Sequence, residues 1–307
     1  MRRFLPEGCL MHDRDNAARM ADEAALTAAA LREEVLEARA VLCDSDHALH
    51  VTLPAMEGII PRCDGALGIE EGEVRDIALL SRVGKPVCFT VCGLETAPDG
   101  RTRAVLSRRR AQELCRAYWR SHRRVGDVVE ARVTRLESFG AFCDIGCGLP
   151  ALLPIASMSV SRISHPRDRV TVGQTVRCVI TSLEEGRICL SMRELLGTWA
   201  QNAARFSQGE TVLGVVRSVE SYGVFVELTP NLAGLAEPFE GAAVGQTATV
   251  FVKSILPDKM KIKLVIIDVQ EGATVPPVEY YEEGGHIDYW NYAPVGSSRR
   301  IETVFGA

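Results

Sequence analysis

The sequence predicts a mainly β fold of three tandem five-stranded barrels joined by short α-helices. The main observation is a repeat: a Val-Gly-x-x-Val/Ala element occurs as VGKPVCFTV from Val83, VGQTVRCVI from Val172 and VGQTATVFV from Val244. Each copy is followed, after a short polar turn, by a second apolar strand pattern that closes the unit. Between the units the apolar spacing changes from that of strands to that of helices.

Each unit contains five short segments rich in Val, Ile, Leu, Phe and Thr, broken by Gly, Pro and acidic turns. Five strands in about 70 residues suit a small closed barrel of the OB type. The intervening helical patterns place Trp119 and Trp199 as packing anchors rather than base-stacking residues. The predicted domains are, in chain order, an N-terminal helix region (1–35), a divergent OB-like module (36–109), a linker helix (110–124), an RNA-binding OB module (125–193), a linker helix (194–207), a second RNA-binding OB module (208–268) and an acidic aromatic tail (269–307).

The composition indicates a globular protein without a membrane anchor. Hydrophobic residues make up 47% of the 307 residues, yet no apolar run approaches the roughly 20 residues that cross a bilayer. The start of the chain also lacks a secretory signal, so we expect a cytoplasmic protein with no membrane partner. The ten cysteines are expected to be reduced, since neither an export signal nor a regular metal-ligand spacing accompanies them.

Motifs of enzyme chemistry are missing from the sequence. It contains no Gly-rich phosphate loop of the Walker kind, no GxSxG elbow, no HExxH and no paired acid motif. We therefore expect a non-enzymatic protein with no catalytic residues, no metal, no cofactor and no small-molecule substrate.

The distribution of charge is uneven along the chain. The formal net charge is −5, but residues 101–193 contain 17 arginines and 8 acidic residues, a net of +9. A basic middle between acidic ends is typical of an electrostatic RNA footprint. A solvated arginine-rich surface explains the same pattern, and charge alone leaves both interpretations open.

Paired aromatic residues occur at the same place in two of the units. Phe139 and Phe142 stand in ESFGAFCDIG, and Tyr222 and Phe225 in ESYGVFVELT, each pair flanking a glycine. A bulge at that glycine would turn both rings to one outer face, where they would stack on RNA bases. The alternative is that the rings fill the barrel core. The first unit has DSDHALHV there, which predicts a structural or protein-binding role.

The middle unit resembles a known RNA-binding repeat. The runs VGDVVEARVTRLESFGAFCDIG and SRISHPRDRVTVGQTVRCVITSLEEGRICLSMREL are similar to the repeat of bacterial ribosomal protein S-one. The resemblance is strong over about 125–268 and weaker over about 36–109. The FLPEG start and the closing GHIDYW…IETVF are similar to the short homologues of Gram-positive anaerobes.

The resemblance implies a five-stranded OB barrel that binds single-stranded RNA through two aromatics, a histidine, an aspartate and an arginine. Phe139 and Phe142 match the aromatics and Arg187 the arginine, whereas Pro154 and Leu183 replace the histidine and the aspartate. Two of the five positions are therefore lost. In the third unit Tyr222 and Phe225 match, Glu237 replaces the histidine, and Lys261 lies near the arginine position.

Further basic residues are predicted to contact phosphates. Arg135 and Arg177 belong to the basic middle unit, and Arg162, His165 and Arg167 lie in and around its SHPRD loop. The alternative for that loop is an ordinary turn stabilised by its proline. The tail carries six acidic residues against two arginines; disorder, covering of an aromatic face and binding of a ribosomal partner remain open for it.

These observations predict a protein of the translation apparatus that binds single-stranded RNA, namely mRNA, without strong sequence preference and without catalysis. The small ribosomal subunit is a candidate partner. The alternative is an RNA-binding subunit or regulator of an RNA decay or processing enzyme, and a third is a scaffold whose barrels bind protein alone.

Overall fold

The computed structural model describes residues 4–97, 100–184, 187–272, 277–297 and 299–306. Parts of the predicted N-terminal region (1–3), of the first and second modules (98–99 and 185–186) and of the tail (273–276, 298 and 307) therefore lie outside the described residues. The chain divides into two compact units. The first comprises Met1–Arg123 with Asp144–Pro150, and the second comprises Arg124–Cys143 with Ala151–Ala307.

Three closed five-stranded barrels share one strand order, in which the last two strands exchange places: 1-2-3-5-4. The predicted fold class is confirmed. The first barrel consists of β1 (Leu36–Cys43), β2 (Leu49–Thr52), β3 (Glu57–Ile60), β4 (Pro86–Thr96) and β5 (Thr102–Ser107); the second of β6 (Val128–Glu137), β7 (Gly140–Asp144), β8 (Pro150–Pro154), β9 (Thr175–Glu184) and β10 (Arg187–Ser191); the third of β11 (Thr211–Glu220), β12 (Gly223–Thr229), β13 (Leu232–Ala236), β14 (Thr247–Leu256) and β15 (Lys261–Gln270).

Alternation of inward and outward side chains forms each barrel core, because successive residues of a strand point to opposite faces. In β12, Val224, Val226 and Leu228 point into the third barrel and are buried. The residues between them, beginning with Phe225, therefore lie on the outer face of the barrel.

The helices lie outside the barrels. They are α1 (Arg14–Ala18), α2 (Glu23–Leu31), α3 (Ile77–Leu80), α4 (Arg108–His122) and α5 (Trp199–Ala203), with short 3-10 turns at Arg62–Asp64, Ile155–Ser157, Pro166–Asp168, Arg193–Leu196 and Pro257–Lys259. The helical spacing of 108–122 becomes α4, and Trp119 and Trp199 are both buried, as packing anchors should be.

The second linker is shorter than a continuous helix. Gly197 has φ +81°, which ends the 3-10 turn of residues 193–196, and Thr198 then caps α5. The side-chain oxygen of Thr198 accepts the backbone N–H of Gln201, so the break and the restart are both encoded locally.

The tail is folded in its described part. A two-stranded sheet pairs β16 (Tyr289–Asn291) with β17 (Glu302–Val304). Trp290, Tyr292 and Phe305 are buried in the same core cluster as Trp199 and the third barrel. The interpretation of the tail as disordered is therefore wrong for its described part.

Candidate nucleic-acid interface

The aromatic pair of the second barrel lies at the β6–β7 hairpin. Phe139 occupies the turn and Phe142 the middle of β7. Phe139 is 53% exposed and Phe142 is half-buried. The ring centroids are 6.1 Å apart and the planes meet at 89°, an edge-to-face arrangement. Both rings are thus accessible from outside the barrel.

The third barrel repeats this geometry. Tyr222 lies in the β11–β12 turn and is 64% exposed, while Phe225 is half-buried on β12. Their ring centroids are 6.2 Å apart at 88°. The alternative in which the rings fill the barrel interior is wrong for both barrels, because the smaller residues beside them occupy the core: Ala141, Cys143, Val224 and Val226.

The glycine beside each aromatic pair has a different role from the predicted bulge. In the third barrel Gly223 pairs directly with Glu220, and the register shift lies on β11 between Val216 and Ser218. A Cβ at Gly223 would lie 2.3 Å from the carbonyl oxygen of Ala236 on β13. The glycine is therefore required by close approach of the next strand, and the ring beside it faces outward because it belongs to the turn.

Gly140 has the same role in the second barrel. A Cβ there would lie 2.5 Å from the carbonyl oxygen of Leu153 on β8. Phe139 precedes the strand, and its carbonyl oxygen accepts the backbone N–H of Ile155 at 2.9 Å. The close approach of β8 and the hydrogen bond from Ile155 to Phe139 both constrain the turn that carries the ring.

Two predicted cations lie on or near the aromatic face of the second barrel. The Arg135 guanidinium lies 5.3 Å from the centroid of the Phe142 ring. It also pairs with Glu137 at 2.7 Å, in a solvent-exposed geometry that screens the interaction. Arg187 is exposed at the first position of β10.

The strand register shows which residue of the third barrel corresponds to Arg187. On β10, Cys189 lies opposite Leu152 of β8. On β15, Lys263 lies opposite Leu235 of β13, so that Lys261 takes the position of Arg187.

Lys263 is a basic residue that the sequence reasoning missed. It lies in one cross-strand row with Leu235 and Phe225, and it is exposed. Glu237, at the position usual for histidine, pairs with Lys253 at 3.0 Å and so does not present an uncompensated negative charge.

Pro154 and Leu183, which replace the histidine and the aspartate of the family pattern, lie on strands of the second barrel. Pro154 ends β8, and Leu183 is half-buried on β9 opposite Ile188. Neither side chain offers a hydrogen bond to RNA. Stacking and phosphate contacts therefore remain as the means of binding on this barrel.

Arg177, predicted as a phosphate contact, is engaged by the tail in this structure. Its guanidinium donates to the carbonyl oxygen of Glu282 at 2.9 Å and to that of Gly284 at 3.4 Å. The ring of Tyr280 lies 5.5 Å from the guanidinium, and its hydroxyl accepts the backbone N–H of Arg177. Arg177 also lies opposite Glu130 of β6. Glu130 is five residues from Arg135 along that strand, or about 17 Å, so Arg177 is far from the aromatic face.

The described part of the tail does not cover the aromatic face. Phe139 and Tyr222 keep the exposures given above, and the tail instead extends the edge of the second barrel. The N–H of Val128 donates to Gly285 and the N–H of Ile287 donates to Gly126. The interpretation in which the tail shields the aromatic rings is thus wrong.

The SHPRD loop is a capped turn with two exposed arginines. His165 Nδ1 accepts the backbone N–H of Arg167 at 3.1 Å, and the Asp168 carboxylate accepts the N–H of His165 at 3.1 Å. The cap leaves only Nε2 of His165 for a ligand. Arg162 and Arg167 are exposed, and within the described ranges neither forms an ion pair.

In the first barrel a histidine replaces the stacking ring. His50 lies opposite Ile59, which lies opposite Val105, the same row that holds Phe225 in the third barrel. Its ring nitrogens contact Glu57 at 2.6 Å and Asp44 at 3.1 Å. These hydrogen bonds, that to Glu57 foremost, raise the pKa of His50 above its ordinary value. This acidic face lacks the aromatic pair.

Comparison with known proteins agrees with the geometry of the second barrel. A model of the S1 RNA binding domain matches residues 123–193. The small ribosomal subunit protein bS1 of Streptococcus pneumoniae is 34% identical over 187 residues, 55% of this chain and 46% of the relative. The bS1 homolog of Bacillus subtilis is 32% identical over 170 residues, 51% of this chain and 44% of the relative. Residues 123–193 therefore match an S1 RNA binding domain, and about half of the chain is similar to bS1 proteins.

The matched regions are less than half of the length of these two bS1 relatives. Among solved structures, a multidomain protein with nucleic acid binding domains from Streptococcus pneumoniae is 15% identical, over 77% of this chain and 74% of that one, with a TM-score of 0.26. The α subunit complex with aDim2p and rRNA from Pyrococcus horikoshii is 27% identical over 27% of this chain and 51% of that chain, with a TM-score of 0.24. The fold assignment of the chain rests on its strand order.

Two further features are absent from the described residues. No helix there is both long and apolar enough to cross a membrane. No group of three or more His, Cys, Asp or Glu side chains within the same residues could hold a metal ion.

Proposed function

We propose that this chain binds single-stranded RNA, in particular mRNA, as a non-catalytic protein of the translation apparatus in the cytoplasm. The small ribosomal subunit is the proposed partner, by analogy with the ribosomal relatives that the chain matches over part of their length. Binding is tolerant of sequence, because aromatic faces stack on every base.

One observation supports this proposal above the others. Two barrels present the same edge-to-face aromatic pair at the same hairpin, with centroid distances of 6.1 and 6.2 Å. Exposing aromatic rings to water is unfavourable unless a ligand uses them, and two matching instances argue against chance. Unpaired bases are flat ligands of the right size for such rings.

The cations beside the rings suit a sugar-phosphate backbone. Arg135 lies over Phe142, and Lys263 lies in the row of Phe225. Arginine and lysine neutralise phosphates and release counterions, which makes RNA affinity fall as salt rises. A duplex hides its base faces, so the rings select for the single strand.

The test is a fluorescence anisotropy titration of a labelled single strand of about 10 nucleotides against a duplex of the same length, across a salt series. The proposal requires tighter binding of the single strand and a negative slope of log affinity against log salt. Equal affinity for the two RNAs, or an affinity independent of salt, would contradict it.

A further inference from the structure

The outer face of β12 passes from the RNA-stacking ring to a junction between two barrels. Phe225 and Glu227 lie on either side of the core residue Val226 and so share this face, and the register with β13 shifts only beyond Glu227. Phe225 is half-exposed at one end, whereas Glu227 is fully buried about 7 Å further along the strand. Whatever covers Glu227 is therefore a close neighbour of the Phe225 ring.

Glu227 is covered by the loop of the second barrel that joins β8 to β9 and contains the SHPRD turn. The Arg169 guanidinium contacts both carboxylate oxygens of Glu227, at 2.7 and 3.0 Å. At the other end of the loop, the N–H of Ser161 donates to the carbonyl oxygen of Pro230, just beyond the end of β12. The loop thus runs along β12 from its far end towards Phe225.

At Asp168 the loop reaches Arg217, whose guanidinium also donates to Glu227 at 2.8 Å. The Asp168 carboxylate lies 3.8 Å from the guanidinium of Arg217. Arg217 is the residue at the register shift of β11, immediately before Ser218, and Ser218 lies opposite Phe225. The residue before Asp168 is Arg167, which is exposed and has no ion pair in the part of the chain that the structure describes.

Arg162 lies at the opposite end of the loop. It follows Ser161, which is bonded to Pro230, and Val160 donates its N–H to the side chain of Asn231. Pro230 lies five residues beyond Phe225 in the chain, past the end of β12 at Thr229. The two exposed arginines of one loop therefore differ in their distance from the Phe225 ring.

We propose that Arg167 of the second barrel and the Tyr222–Phe225 pair of the third barrel form one composite site for single-stranded RNA. The third barrel supplies the stacking rings, and the second supplies the guanidinium for the adjoining phosphate. The buried Arg169–Glu227 pair holds the two parts in register. This inference rests on the proposed RNA-binding function.

A strand bound at this site crosses the junction between the barrels. The loop cation predicted to serve the second barrel then serves the third, whose own cation row contains Lys261 and Lys263 on the other side of Phe225. The arrangement explains why the loop needs a rigid cap: Asp168 fixes the turn through Ser164 and His165 while its other contact faces Arg217.

A double-mutant cycle on RNA binding by the full chain tests the composite site. Arg167→Ala is expected to weaken binding of a single strand about tenfold, as loss of one charged contact does. Phe225→Ala is expected to weaken it about tenfold or more. Because both act on one bound segment, the double variant should lose about fivefold less than the product of the single losses.

Two control cycles use the same measurement. Arg162→Ala with Phe225→Ala tests the far end of the same loop, and Arg167→Ala with Phe142→Ala tests the ring of the other barrel. Both are expected to be additive. Tyr222→Ala can replace Phe225→Ala should the latter lower the melting temperature, because Tyr222 is the more exposed ring.

The outcomes separate the composite site from the proposed function. Coupling confined to Arg167 and the third-barrel pair supports the composite site. Additive losses in all three cycles, or coupling of Arg167 to Phe142 instead, would overturn it while leaving RNA binding intact. Unchanged affinity in every single variant would also overturn the composite site, whereas the proposed function itself fails only if the wild type shows no preference for the single strand or no salt dependence.

Discussion

Arg169 and Glu227 form a fully buried ion pair that joins the second and third barrels. The guanidinium contacts both carboxylate oxygens at 2.7 and 3.0 Å, and neither side chain is exposed. Glu227 also accepts from Arg217 at 2.8 Å, and Arg169 donates to the hydroxyl of Ser159 at 3.0 Å. One carboxylate thus compensates two guanidiniums from different barrels.

Neutralising Glu227 should strongly destabilise the compact unit that contains the second and third barrels. Glu227→Gln leaves the buried Arg169 without a counter-charge and leaves Arg217 only the more distant Asp168, which we expect to cost about 3–5 kcal/mol. Thermal unfolding of the full chain measures the change as a lower melting temperature. The matched control is Glu237→Gln, whose exposed pair with Lys253 contributes about 1 kcal/mol or less. Similar melting temperatures for the two variants would contradict this account.

The tail should contribute to stability and not restrain RNA binding. Trp290→Ala removes a large buried side chain from the shared core of the second unit, with an expected cost of about 3–5 kcal/mol. RNA affinity, measured well below the melting temperature, should stay unchanged because the tail leaves Phe139 and Tyr222 exposed. Tighter RNA binding in a folded Trp290→Ala variant would instead show that the tail competes with RNA.

Gly140 should tolerate no side chain. In Gly140→Ala the new Cβ would meet the Leu153 carbonyl at 2.5 Å, so β8 must move, at an expected cost of about 1–3 kcal/mol. Gly93→Ala is the control, since no atom lies within 4 Å of a Cβ there. Its effect should be within about 0.5 kcal/mol. Comparison of the two melting temperatures decides, and an unaffected Gly140→Ala would remove the close-approach explanation.

The compact unit that contains the first barrel should lose stability as the pH rises through the neutral range. The pKa of His50 is raised from 6.5, first by its hydrogen bond to Glu57 and then by Asp44. The folded state therefore holds the proton more tightly than the unfolded state, so the contribution is complete below pH 6.5 and is lost as the pH passes the folded pKa.

Thermal unfolding at about pH 5.5 and about pH 8 measures this effect. The difference should shrink in His50→Gln, which keeps a polar side chain without titrating in this range. A pH dependence that is identical in the two proteins would show that other groups cause it.

Much of the fold was predictable because the repeat carries it. The Val-Gly elements mark the strand that pairs with both the first and the last strand of each barrel. The predicted linker helix at 110–124 overlaps α4, which begins and ends two residues earlier. The outward rings were predicted, but for the wrong local reason. A glycine in a strand pattern signals either a bulge or a close backbone approach, and only the neighbouring strand distinguishes them.

The junction between the barrels was not predictable from local patterns. Arg169 and Glu227 are 58 residues apart, and as isolated charges each looks like a surface residue. The same holds for Arg177, whose tail partners lie more than 100 residues away. A net positive segment therefore overstated the charge open to RNA, because several of its arginines, Arg169 and Arg177 among them, are engaged by other parts of the chain.

The central claim is that the two aromatic pairs stack on unpaired bases. The most direct test compares the wild type with the variant Phe139→Ala, Phe142→Ala, Tyr222→Ala and Phe225→Ala in anisotropy titrations of one single-stranded RNA at fixed salt. We predict a loss of about 30-fold or more, or about 2 kcal/mol, in a variant that still unfolds cooperatively. An unchanged dissociation constant in that folded variant would contradict the claim.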